Sequence, residues 1–107
     1  MEQLSPTGLK EWLDDSARSK PLLLDVREPQ EFQHCHIAGS KHIPMSTIPA
    51  RAGELPKDED IVVICHHGGR SFQVAMFLEQ QGFTRLHNLN GGVNAWSVQV
   101  DPAMPRY

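Results

Sequence analysis

The chain has 107 residues, 39% hydrophobic and 21% charged, with a formal net charge of −3. That size suits one compact domain and leaves little room for a second. The mild acidity gives no footprint for nucleic acid or an anionic membrane, apolar runs of four or five residues are far short of a membrane span, and two cysteines make no disulfide framework.

Ser5 is a good N-cap and Pro6 a good first helical residue, and Leu9, Trp12, Leu13 and Ala17 form a stripe. A helix is therefore predicted over 6–18. Leu22 to Val26 reads as a short strand whose continuous apolar run suggests cover on both faces, hence a parallel sheet. Pro29 opens a helix carrying Glu31, Phe32 and Cys35, and Gly39 breaks it. Lys41 to Ile43 reads as a brief strand and Thr47 to Ala52 as a short helical turn. Ile61 to Ile64 is a strand, Ser71 to Gln81 a helix, and Gly82 sits where a C′ glycine belongs. Thr84 to Asn88 reads as a further strand, Asn90-Gly91-Gly92 as a turn, and Val93 to Trp96 as a short helix. Residues 97–107 are expected to form an irregular tail packed on a single domain spanning 1–107. Strand and helix alternate, which argues for a three-layer α/β/α fold. Met1 to Pro6 lacks the charged and apolar regions of a secretory signal, so a reducing cytoplasmic setting is expected, with monomer as the default.

The most informative stretch is Cys65-His66-His67-Gly68-Gly69-Arg70-Ser71. It joins the strand ending at Ile64 to the helix beginning near Ser71. A loop so placed can wrap backbone N–H groups around the sulfur, with the positive end of the helix facing it. Thiols ionise readily at helix N-termini and near cations. Gly68 and Gly69 permit a sharp turn, and Arg70 supplies a planar charged fork suited to an oxyanion. The stretch reads as a cysteine nucleophile with an anion pocket. That reading requires amides converging on position 65 and a solvent path to it.

Four segments together resemble the rhodanese homology domain, in particular the single-domain sulfurtransferases. They are Leu23 to Pro29 followed by Glu31-Phe32; His36 to Ser40 with Ile43-Pro44; Cys65 to Ser71; and Gly82-Phe83 followed by Leu89 to Gly92 and Ala95-Trp96. The likeness runs from the first helix through Trp96. Cys35 stands where glycine is common in the family, and His66-His67-Gly68-Gly69 is its own loop variant. The resemblance implies a mainly parallel five-stranded sheet and a Cys65 persulfide formed in turnover, with Asp25 helping to fix the site and Arg27 pairing with Glu31. It also implies transfer of sulfane sulfur from a donor such as thiosulfate or a persulfide to a thiol, cyanide or protein acceptor.

On this reading Arg70 orients the donor, and His66 and His67 add donors whose charge varies across neutral pH. No metal or organic cofactor is needed. A second reading is a persulfide carrier or regulatory module of the same fold, without turnover. A third is a phosphatase or arsenate reductase, but those relatives carry Cys-x5-Arg loops, whereas here the arginine falls five positions after Cys65. Cys35 is expected about a strand length, ~15 Å, from Cys65 and unbridged. His34, His36 and His42 fit no zinc spacing, and His36 is expected to anchor a turn. Trp12 and Trp96 are expected in the core.

Overall fold

Strand Ile61–Ile64 is buried at every position, so it is covered on both faces. The computed structural model describes all residues from Met1 to Tyr107. This strand, β4, is the centre of a five-stranded sheet ordered β1-β5-β4-β2-β3, in which every pairing is parallel. The other strands are β1 Glu2–Leu4, β2 Leu22–Asp25, β3 Lys41–His42 and β5 Leu86–Leu89. The helices are α1 Pro6–Asp14, α2 Pro29–His34, α3 Ile48–Arg51, α4 Gly69–Gln80 and α5 Gly92–Gln99. Short 3-10 turns, Met45–Thr47 and Ala52–Glu54, flank α3.

The hydrophobic core divides by sheet face. On one side Leu24, Val63 and Cys65 pack with Ile48, Val74, Ala75 and Leu78. On the other, Leu23, Val62, Ile64 and Leu89 pack with Leu9, Trp12, Cys35, Val93 and Trp96. This is the three-layer arrangement expected from the alternation of elements. The chain order reverses between β2 and β4, and such a switch point opens a crevice beyond the strands' carboxyl ends. Register pairs Asp25 with Ile64. Val26 and Cys65 therefore leave the sheet side by side, with Arg27 one residue further on.

Several boundaries differ from the sequence reading for identifiable reasons. Ser5 caps α1 as expected, its Oγ accepting from Gly8 N–H at 3.0 Å. The helix stops at Asp14, though, because the Asp15 carboxylate accepts from Ala17 N–H at 2.9 Å. Such a local turn competes with helix. The edge strand β1 carries no sequence signal: Glu2 and Gln3 are exposed, and pairing with β5 alone makes it a strand. Gly68 caps α4 in a left-handed conformation (φ +104°), so the helix begins two residues before Ser71. Gly69 is its first ordinary turn and needs no special backbone freedom. Helix α5 runs on to Gln99. The tail then folds back, with Ser97 Oγ donating to Met104 O at 2.8 Å and Met104 buried.

The two cysteines are free. They lie in cores on opposite faces of the sheet. The sequence argument placed the barrier between them along the strand; the structure places it across the sheet. The six-residue α2 is too short to carry Cys35 to the far edge, and Cys35 Sγ sits 3.9 Å from Arg27 Nη1.

Candidate active site

Strand β4 delivers Cys65 and α4 begins four residues later, so the chain must turn beneath the sulfur. Gly68 makes that turn, and its N–H donates to Cys65 Sγ at 3.0 Å. It is the one loop amide in hydrogen-bond contact with the sulfur; the wider cradle of amides expected from the sequence is not formed here. Ser71 Oγ is the second neighbour, at 3.3 Å. A hydroxyl has one proton, and Ser71 gives its own to Asn88 Oδ1. The facing lone pairs of Ser71 Oγ thus accept the Cys65 S–H. Asn88 is buried on β5, and its Nδ2 donates to Gln3 Oε1 at 3.0 Å and Gly68 O at 3.2 Å. Three strands therefore brace one loop.

The start of α5 holds the loop from its other side. Val93 N–H donates to Cys65 O at 2.9 Å and Asn94 N–H to His66 O at 3.0 Å. Gly92 precedes both with φ +60°, and a Cβ there would fall 2.3 Å from Cys65 O. Both the backbone angle and the contact exclude a side chain. Gly92→Ala is expected to displace the loop and lower sulfur-transfer kcat/KM about a hundredfold, the scale of a 1 Å misplacement. Retention of full activity by a folded Gly92→Ala protein would contradict this.

The charged residues are paired differently from the expectation. Arg27 does not pair with the Glu31 carboxylate; its Nη1 meets only the Glu31 backbone carbonyl, at 3.4 Å. Its ion-pair partner is Asp25, with Nη2 to Oδ2 at 2.7 Å and both side chains fully buried. The proximity of residues 25 and 27 at one strand end explains the exchange. The Glu31 carboxylate takes Arg70 instead, with Nη1 to Oε1 at 2.7 Å and Nη2 to Oε2 at 2.9 Å. Arg70 is thus turned into a fork-to-fork pair. It was expected to face a donor beside the sulfur.

Tyr107, which sequence reasoning left in an irregular tail, completes this network. Its hydroxyl donates to Glu31 Oε2 at 2.8 Å and accepts from Arg27 Nη1 at 2.8 Å. Burial first, and the Glu31 contact after it, push the Tyr107 phenol up to about 12 against the pull of Arg27. The Arg70 hydrogen bonds, against burial, hold Glu31 down at about 2. Since the folded value lies below the unfolded one, this pair stabilises the fold above about pH 4.5 and that contribution is lost as pH falls toward 2. The Tyr107 ring stacks on His66, centroids 3.9 Å apart and 10° from parallel. His66 stacks in turn near His67 at 3.9 Å. Burial, then His67, pushes the His66 imidazole below its usual range. Its Nε2 is buried without a hydrogen-bond partner. Cys65 itself is 1% exposed. The expected solvent path is closed in this conformation.

The remaining histidines do not converge. The Phe32 ring lies between His36 and His42, stacked at 4.0 and 4.5 Å. His36 Nδ1 contacts Phe32 O at 2.8 Å and anchors the end of α2, the role the sequence suggested.

Comparison with known proteins bears on this geometry. A family model described as Rhodanese-like domain matches residues 5–99. A sulfurtransferase of Allochromatium vinosum is 45% identical over 76 residues, 71% of each chain. A putative sulfurtransferase of Bacillus subtilis is 36% identical over 102 residues, 95% of this chain and 96% of the relative. Longer relatives also match, and this chain spans 30% and 26% of two of them. The crystal structure of a rhodanese-like domain protein from Staphylococcus aureus superposes with a TM-score of 0.85 at 31% identity, covering 100% of this chain and 99% of that one.

Proposed function

Because the chain belongs to the rhodanese-like domain family, we propose that it transfers sulfane sulfur through a persulfide on Cys65. The observation that carries this reading is the Gly68 N–H aimed at Cys65 Sγ from the start of α4, in a loop with a Cys-x4-Arg spacing.

The Cys65 thiol first gives up its proton to solvent water. The thiolate then attacks the outer sulfur of the donor. The donor's S–S bond breaks, its inner atom leaves with the electron pair, and Cys65–S–S⁻ remains. With thiosulfate the leaving group is sulfite; with a persulfide it is a thiolate. Gly68 N–H is placed to stabilise the sulfur anion. A rotation of the Ser71 hydroxyl from Asn88 toward the sulfur would supply a second donor. An acceptor nucleophile then takes the terminal sulfur, and Cys65 leaves as thiolate. A thiol that is 1% exposed reacts only when its cover moves.

Thiosulfate and a persulfide as donors, and a thiol, cyanide or protein as acceptor, all fit this scheme. Two free cysteines suit a reducing compartment. Phosphoryl transfer is disfavoured, because the four-residue spacing is short for a tetrahedral centre and Arg70 is paired with Glu31. Initial rates measured against donor and acceptor together are expected to give parallel double-reciprocal plots, the signature of a two-step covalent scheme. Intersecting lines, or turnover of an aryl phosphate in place of sulfur transfer, would contradict the proposal.

A further inference from the structure

The charges around the site cancel in pairs. Two cations and two carboxylates lie there: Arg27 with Asp25, and Arg70 with Glu31. Arg27 is fully buried, which leaves Arg70 as the arginine within reach of a small donor. Arg70 is held by both oxygens of Glu31 at 2.7 and 2.9 Å. Glu31 is itself fixed twice more, since Oε1 accepts from Glu28 N–H at 2.9 Å and Oε2 from Tyr107 OH at 2.8 Å.

From this juxtaposition we infer that Glu31 is a positioning residue that selects the donor by charge. It occupies Nη1 and Nη2 of Arg70, and so favours donors of lower total charge, such as alkyl persulfides, over the thiosulfate dianion. A dianion must break a bidentate ion pair to gain Arg70, and then still faces the displaced carboxylate. An alkyl persulfide needs neither. This inference rests on the sulfur-transfer reading above. In both reactions the atoms balance: Cys65–S⁻ gains one sulfur, and sulfite or the alkyl thiolate leaves with the electron pair.

The test compares thiosulfate with 2-mercaptoethanol persulfide as donors, following sulfur gained by Cys65 in wild type, Glu31→Gln, Glu31→Asp and Glu31→Gln/Arg70→Ala proteins. Glutamine can still accept from Glu28 N–H through its one oxygen, so the cap of α2 is kept, and its amide N–H can donate to the Tyr107 hydroxyl to keep the tail contact. In Glu31→Gln the kcat/KM ratio of thiosulfate to persulfide is expected to rise about two- to fivefold, the scale of one partly exposed ion pair, through a lower KM for thiosulfate. Glu31→Asp, which keeps the charge, should retain the wild-type order of donors. Removing Arg70 as well should abolish the gain. An unchanged ratio in Glu31→Gln, or an equal loss with both donors, would overturn the inference while leaving sulfur transfer standing. Failure of wild-type protein to take sulfur from either donor would overturn the sulfur-transfer reading and this inference with it.

Discussion

Cys65→Ser is expected to lower sulfur-transfer turnover by about a thousandfold or more, to the level of the uncatalysed reaction. The oxygen would still accept from Gly68 N–H and face Ser71, so the fold and the loop should persist. A serine hydroxyl, however, is a poor nucleophile toward sulfane sulfur and can form no persulfide. No second thiol can take its place. Cys35 is 8% exposed, lies in the core on the opposite face of the sheet, and is backed by Arg27. Cys35→Ser should accordingly keep most of the turnover. Steady-state assays with one sulfane donor and a thiol acceptor check both variants. Turnover retained in Cys65→Ser and lost in Cys35→Ser would reverse the assignment.

Asp25→Ala is expected to cost the fold about 3–5 kcal/mol, the usual consequence of leaving one partner of a buried ion pair alone. Domains of this class are stable by only about 5–15 kcal/mol, so the loss would remove much of the margin. Asp25 accepts from Arg27 through four contacts, Oδ1 from the backbone N–H at 3.1 Å and Nε at 2.9 Å, and Oδ2 from Nε at 3.1 Å and Nη2 at 2.7 Å. Burial opposes the Arg27 charge, but Asp25 and then Tyr107 more than offset it and keep the guanidinium ionised. The remaining donors reach Cys35 O at 2.6 Å and the Tyr107 hydroxyl at 2.8 Å. One pair thus ties the end of β2 to the end of α2 and to the tail. Replacing both residues, as Asp25→Leu/Arg27→Met, should recover part of the loss, since no charge then remains buried. Urea unfolding midpoints measure this. A shift in Asp25→Ala worth under about 1 kcal/mol would contradict the account.

Much of the architecture is local, and local signals are what a sequence displays. The apolar run Ile61 to Ile64, the Ser5-Pro6 cap and Gly82 each fix an element through nearest neighbours, and each was legible. Strand β1 was not, because Glu2 and Gln3 have no buried side to pattern; their strand exists only through β5. The loop at Cys65 was also legible, as a cysteine between a strand and a helix. Its burial was not, nor was the partner of Arg70. That choice depends on side chains 39 residues apart and on Tyr107, 76 residues from Glu31. Asn88 escaped notice for a related reason: in a strand its polar side chain signals only that something across the sheet must satisfy it. Gly92 was read as a turn residue. Its tighter role, letting α5 approach the carbonyls of Cys65 and His66, arises from distant segments meeting.

The site as it stands is closed and charge-paired, with sulfur, loop and tail packed together. On the proposed reading, the Cys65 sulfur receives an atom when that cover moves. The most direct measurement is the intact mass of wild-type protein after incubation with a sulfane donor, followed by peptide mapping and treatment with cyanide. The account predicts a gain of one sulfur atom, mapped to the peptide carrying Cys65 and removed by cyanide. A protein that gains no sulfur from thiosulfate or an alkyl persulfide, or gains it on Cys35, would contradict it.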